Sequence, residues 1–153
     1  DCLLSRGLGD VYKRQIVDGY NVIFAWESLS ELAKTNLDAA KDKLISLLSN
    51  YQGITGVKTL LVFDGYKVKG NHGSTTVQED IKIVHTKENQ TADQFIEAYT
   101  HKNEGQYQMT VATSDGLIQT ITRGAGCQII SSRELYSAME AAAKELREMY
   151  DIK

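Results

Sequence analysis

Ile16-Val17-Asp18-Gly19-Tyr20-Asn21 reads as a short apolar run that ends in an acid, a glycine and an amide. Such a run is a strand that delivers polar groups to one edge of a sheet. Gly19 lets the backbone turn sharply with no Cβ in the way, and Asn21 can accept and donate hydrogen bonds just beyond the Asp18 carboxylate. Alone, Asp18 has a plainer reading, an acid at a strand end that opens a turn. The choice depends on whether other strands end in the same way.

Further along, Lys58 to Phe63 is an apolar run that ends in Asp64-Gly65, the same grammar again. Between the two runs, Val22 to Asn36 reads as an irregular segment with a short helix carrying the single tryptophan, Trp26. Asn36 then caps an amphipathic helix in which Leu37, Ala40, Leu44, Ile45, Leu47, Leu48 and Tyr51 fall at helical spacing, with Gly53 as its stop. Tyr66 to Asp80 is a polar, glycine-containing loop, Ile81 to His85 a short strand, and Thr86 to Gln90 a polar connector. Thr91-Ala92-Asp93-Gln94 has the form of a capping box, so a helix runs from there to about Lys102. Met109 to Thr113 is the next strand, followed by Ser114-Asp115 and a helix to Arg123 that Gly124 stops. Cys127 to Ile130 is the last strand, and Ser131 with Glu134 opens the final helix. Strands alternating with helices imply an α/β fold with a mainly parallel sheet covered on both faces. With the first strand central between the Leu60 and Met109 strands, Asp18, Asp64 and Asp115 emerge at one edge, where ligands sit in such sheets.

The 153 residues suffice for one domain and one core. Hydrophobic residues at 42% and charged ones at 24% describe a globular chain, and no apolar run is long enough to span a bilayer. A formal net charge of -3 argues against holding nucleic acid by bulk positive charge, so any such contact is local or assisted by metal ions. Cys2 and Cys127 are too few for a disulfide framework and have no metal-ligand spacing, which points to a reduced, cytoplasmic setting. Residues 1–15 show neither helical nor strand periodicity, and Lys13-Arg14-Gln15 is a polar start for a strand covered on both faces. They are expected to be a foreign or mistranslated leader, with the domain proper beginning at Ile16.

Each acid taken singly has an ordinary explanation. Asp115 and Asp93 sit at helix starts, where the dipole and unpaired amides favour a carboxylate. Glu97, four residues after Asp93 and on the same helix face, reads equally as a solvated surface acid. Together they are harder to dismiss. Carboxylates crowded at one edge raise one another's pKa unless a cation neutralises them. Oxygen-only donors without a histidine or cysteine cluster suit Mg²⁺ or Mn²⁺, ions that act on phosphates. His72, His85 and His101 are scattered without ligand spacing.

Other phosphate chemistries fail specific checks. No Gly-x-x-x-x-Gly-Lys loop is present, and Gly124-Ala125-Gly126 follows a helix instead of opening one. A phosphatase with an aspartyl nucleophile needs a second Asp where Tyr20 stands, and a receiver domain needs a lysine where Ser131 and Ser132 stand.

Val17-Asp18-Gly19-Tyr20-Asn21, Val62-Phe63-Asp64, Thr86-Lys87-Glu88-Asn89 leading into Thr91-Ala92-Asp93, Ala112-Thr113-Ser114-Asp115 and Ser132-Arg133-Glu134-Leu135 occur in this order. Together they resemble the YacP-like branch of the NYN nucleases, within the wider PIN-like fold, over most of the chain. The resemblance implies a three-layer α/β/α sandwich and a metal-dependent endoribonuclease acting on messenger RNA in association with the ribosome. It implies Asp18, Asp93 and Asp115 as metal-binding acids, with Asn21 and Asp64 near the site and Glu97 as a further ligand or water-positioning acid. It also implies more basic helical sequence than Lys153 allows, so the domain is expected to be truncated at that end. Lys67, Lys69, Lys87 and Arg123 are candidates for phosphate contacts, and Tyr20 or Tyr66 for stacking on a base; each also reads as an ordinary surface residue. A catalytically weak RNA- or ribosome-binding module, or a phosphomonoesterase, are the alternatives.

Overall fold

A computed structural model describes residues 13–151. Its elements, in chain order, are β1 (Lys13–Asp18), α1 (Gly19–Ala25), α2 (Glu27–Thr35), α3 (Leu37–Thr55), β2 (Lys58–Phe63), β3 (Ser74–Gln78), β4 (Ile81–His85), α4 (Ala92–Lys102), β5 (Gln108–Ala112), α5 (Gly116–Gly124), β6 (Gln128–Ile130) and α6 (Ser132–Asp151). One six-stranded sheet has the order β3-β4-β2-β1-β5-β6, parallel throughout except for the antiparallel β3–β4 pair. The chain moves outward from β1 through β2 and β4, then crosses back to β5. Strand order therefore reverses beside β1, the position where open α/β sheets leave a crevice at their carboxyl ends.

The alternation of side chains along each strand builds two cores. Val17, Leu61, Phe63, Ile83 and Ala112 face a cluster with Val22, Ile23, Trp26, Leu29, Leu44, Leu48 and Leu135, which come from α1, the α1–α2 junction, α2, α3 and α6. Ile16, Leu60, Val62, Val84, Met109 and Val111 face the opposite cluster, closed by Ile96 of α4 and Ile118 of α5. This is the expected three-layer arrangement. Fully burying each Leu, Ile or Phe contributes roughly 1.5–3 kcal/mol, so both layers hold the sheet.

Several local expectations need correcting. β1 begins at Lys13, because β2 and β5 pair with it on both sides from Arg14↔Lys58 and Lys13↔Gln108 onward. Two neighbours supply the pairing that the polar Lys13-Arg14-Gln15 does not advertise, and the Arg14 guanidinium lies 4.4 Å from the Tyr107 ring centroid. The rest of the proposed leader, residues 1–12, lies outside the described residues. The segment after Asn21 is two helices, α1 and α2, hinged at the buried Trp26. α3 passes through Gly53 and ends at Gly56, whose φ of 77° supplies the left-handed cap.

β3 was not expected. All five of its residues are exposed, so it carries no apolar pattern. Its hairpin turns through Glu79 and Asp80, both at positive φ (51° and 65°), where Asn-Gly would be the usual signal. Side chains of α3 support the turn instead: Ser49 Oγ donates to the Glu79 carbonyl at 2.7 Å, and Gln52 Nε2 to the Asp80 carbonyl at 2.9 Å.

Candidate active site

Asp18 ends β1, Asp64 follows β2, Asp115 caps α5 after β5, and Asp93 lies in the first turn of α4. All four stand at the carboxyl edge of the sheet. Gly19 is required at the turn from β1 into α1. A Cβ there would lie 2.5 Å from Phe63 Cε1 and 2.9 Å from the Val62 carbonyl oxygen.

The acids differ in how they are tied down. Asp18 is buried, 8% exposed, and its Oδ2 accepts a hydrogen bond from Thr113 Oγ1 at 3.0 Å. That same hydroxyl accepts from the Asp115 backbone N–H at 3.0 Å, linking the ends of β1 and β5. Asp115 Oδ1 accepts from the N–H groups of Leu117 (2.9 Å) and Ile118 (3.3 Å). Each of these two acids thus uses one oxygen for structure and keeps the other. Asp64 uses both: Oδ1 accepts from the Tyr66 N–H at 2.8 Å and Oδ2, weakly, from the Ala92 N–H at 3.4 Å. Its carboxylate therefore ties the β2 edge to the start of α4. The capping box is formed as expected, with Thr91 Oγ1 accepting from the Gln94 N–H and Gln94 Oε1 from the Thr91 N–H.

Burial pushes the Asp18 carboxyl up to about 6; the Thr113 hydrogen bond opposes this, and the charges of Asp93, Asp115 and Asp64 add to it. Asp93 is also raised, first by burial and then by Asp115 and Asp64. The four acids therefore share one electrostatic neighbourhood. Glu97 is exposed one turn further along α4 and is not among the charges acting on Asp18 or Asp93. Among the described residues, no three His, Cys, Asp or Glu side chains are already drawn together to hold a metal ion. The chemistry of the donor set nevertheless fits a hard cation: oxygen donors only, of like charge, with two raised pKa values that a nearby cation would reverse.

Asn21 organises the edge. Its Oδ1 accepts from the Ser114 N–H at 2.8 Å and from Ser132 Oγ at 2.7 Å. Ser132, fully buried, also receives Trp26 Nε1 on its carbonyl at 2.7 Å and gives its N–H to Ser114 Oγ at 3.2 Å. This chain of bonds fixes the Ser114-Asp115 loop against α1 and α6.

The YacP-like NYN domain model matches residues 15–153. The chain belongs to the YacP-like NYN domain family. A relative in this family, Bacillus subtilis (strain 168) YacP, carries the description uncharacterized protein; it is 37% identical over 132 residues, 86% of this chain and 77% of its own length. Crystal structures of Rae1 (YacP) from B. subtilis superpose on this YacP-like NYN chain with a TM-score of 0.75. One, at 36% identity, is covered over 81% of its chain and spans 92% of this one; the other, a W164L mutant, is 34% identical, with 80% and 89% covered.

The remaining NYN-domain candidates are dispersed. Tyr20 is half-buried, its ring 5.0 Å from Phe63 and 6.3 Å from Phe24. An open hollow of about 420 Å³ lined by Tyr20, Asn21, Phe24, Ala25 and Ser114 borders the acids. Lys67 and Lys69 are exposed in the loop after Asp64, and Lys87 lines a second hollow with His72 and Phe95. Arg123 is exposed near the far end of α5, roughly 10 Å along the helix from its acidic start. Sequence reasoning missed Lys41 and His85, which meet at 3.0 Å, Lys41 Nζ to His85 Nε2. No spacing links them, because they come from α3 and β4.

Proposed function

We propose that this chain is a metal-dependent endoribonuclease that hydrolyses RNA phosphodiester bonds, with messenger RNA on the ribosome as its setting in the cytoplasm. NYN family membership and likeness to Rae1 (YacP) support a nuclease role on RNA. The observation that carries the finer reading is the buried Asp18, surrounded by the charges of Asp93, Asp115 and Asp64 at an open sheet edge. Capping and tying backbone groups account for Asp115 and Asp64, but not for a buried Asp18 held among three like charges, which disfavour its ionised form and repel phosphate unless a cation is part of the working site.

Asp18, Asp93 and Asp115 would hold Mg²⁺ or Mn²⁺. When bound, such an ion lowers the pKa of water and stabilises charge on the attacking and leaving oxygens of the phosphate. Thr113 and the α5 N-terminus orient the Asp18 and Asp115 carboxylates. Asp64 holds the α4 start, and with it Asp93, in place. Asn21 fixes the loop that carries Asp115. The open hollow beside Tyr20 suits an extended single strand better than a deep pocket for a phosphomonoester would.

The test is cleavage of end-labelled messenger RNA, with and without translating ribosomes, in Mn²⁺ and in EDTA. Internal cuts are expected that disappear with EDTA, with Asp18→Asn and with Asp93→Asn while the variants stay folded. Variants that cut as well as the parent would overturn the assignment, and release of inorganic phosphate without internal cuts would favour a phosphomonoesterase.

A further inference from the structure

Lys41 stands on the second turn of α3, whose N-terminus lies towards the carboxyl edge of the sheet because the helix runs back antiparallel to β1 and β2. Its ammonium lies 4.4 Å from the Phe63 ring centroid and 5.7 Å from that of Tyr20, and contacts His85 Nε2 at 3.0 Å. Phe63 directly precedes Asp64, and Tyr20 is two residues beyond Asp18. His85 stacks on the other side chain of this group, Phe63, at 5.4 Å. The cation is thus mounted on an aromatic floor of Phe63 and Tyr20, which adjoin Asp64 and Asp18 along the chain.

An ammonium has three donors. Among the described residues one goes to His85, and no carboxylate lies within ion-pair distance of Lys41. The charged groups that bear on it are Asp38 and Asp42 of its own helix and His85 of β4, and Asp38 and Asp64 both bear on Tyr20. Burial holds the Lys41 ammonium below its ordinary pKa. A half-buried cation with unused donors is an inefficient way to cover Phe63, which a methionine would cover without desolvating a charge. It is suited to an anion arriving from outside.

We propose that Lys41 is a phosphate-binding residue of the RNA path, positioned by His85 over Phe63 and Tyr20, and gripping a backbone phosphate that flanks the carboxylate site. This rests on the nuclease reading for the identity of the ligand. Lys41 supplies the positive charge that a chain of net charge -3 needs locally. Tyr20 and Phe24, stacked at 6.3 Å beside it, line the adjoining hollow where a base would lie.

The experiment is fluorescence anisotropy with a labelled single-stranded RNA in Mn²⁺, in the Asp18→Asn background so that no RNA is cut. Adding Lys41→Met is expected to weaken binding about tenfold and to reduce the slope of log K against log[salt] by about 0.7, one phosphate contact on a single strand. Lys41→Arg should keep the slope. In parallel, RNA should protect Lys41 of the Asp18→Asn protein from acetylation, read by mass spectrometry, against the exposed Lys34 as reference. Unchanged affinity and slope with Lys41→Met overturn the inference, and so does unprotected Lys41 if that variant does not fold. Cleaving protein with Lys41-independent binding leaves the nuclease standing alone. Lys41-dependent binding in a parent protein that never cuts removes the nuclease and keeps the phosphate site.

Discussion

Asp18 sits at the end of a strand buried on both faces, where its ionised form is penalised by desolvation and by three neighbouring acids. Its carboxyl titrates at about 6 in the folded chain against an ordinary 3.8. The folded state therefore holds a proton that the unfolded state has lost between these values, so stability falls as pH rises from about 4 through about 6. Above that window the ionised carboxylate costs about 2–3 kcal/mol. Asp18→Asn keeps an acceptor for Thr113 and removes the charge. In metal-free urea unfolding it is expected to be more stable than the parent by about 1–2 kcal/mol at pH 7 and to lose that advantage by pH 4. Mn²⁺ should narrow the difference at pH 7 by stabilising the parent alone. Equal urea midpoints at both pH values would show that Asp18 is not under the strain its surroundings imply. Such a cost at a single buried acid is the kind of local penalty that proteins carry at functional sites.

Between elements, the connector from β4 to α4 joins the Asp64 turn to the start of α4, and its hub is Thr86, 1% exposed. Its Oγ1 accepts the Gly65 N–H at 2.8 Å and donates to the Gln90 carbonyl at 2.7 Å, while its own carbonyl receives Asn71 Nδ2 at 2.7 Å. Gly65 has no room for a Cβ, which would run into the Thr86 carbonyl oxygen. Thr86→Val preserves shape but strands the Gly65 donor and the Gln90 acceptor, at an expected cost of about 1–3 kcal/mol. Cleavage should fall severalfold as Asp64 and the start of α4 loosen, and Thr86→Ser should restore it; parental stability and rate in Thr86→Val would show that the connector is held otherwise. From sequence, Thr86 is simply part of a polar connector, because its partners Gly65 and Asn71 lie 21 and 15 positions away. The Thr91–Gln94 box was legible because its partners lie three residues apart, and the buried runs ending in Asp18 and Asp64 were legible through their apolar content. β3 was not, because all five of its residues are exposed and carry no apolar alternation, and the Glu79-Asp80 turn and the polar start of β1 were not, because their hydrogen bonds come from distant parts of the chain. Lys41 and His85 were missed for the same reason, being 44 positions apart.

Across the whole molecule, the reversal of strand order beside β1 gathers Asp18 and Asp115 from adjacent strand ends, and Asp64 and Asp93 from the side where β2 and α4 meet. The sequence order of strands implied this edge, and pairing of β1 with both β2 and β5 realises it. The same topology concentrates negative charge on a chain already at -3, so an RNA phosphate approaching this edge would meet repulsion there. Under the proposed function, attraction would come from a divalent cation among the carboxylates and from a few local cations such as Lys41. Binding of single-stranded RNA to Asp18→Asn is therefore expected to show a shallow salt dependence, with log K falling by no more than about 3 per decade of salt, as for about four phosphate contacts. In the unsubstituted protein, probed with a cleavage-resistant RNA analogue, removing Mn²⁺ with EDTA should weaken binding about tenfold or more, whereas Asp18→Asn, with one repelling charge fewer, should depend less on the metal. Titrations at matched ionic strength separate the two effects. A steep slope of 6 or more, indifferent to EDTA, would mean that RNA lies on an extended basic surface away from the acids. A shallow slope with metal-dependent affinity would place the RNA over the carboxylates, because only there does exchanging a divalent cation for its absence change the sign of the local field.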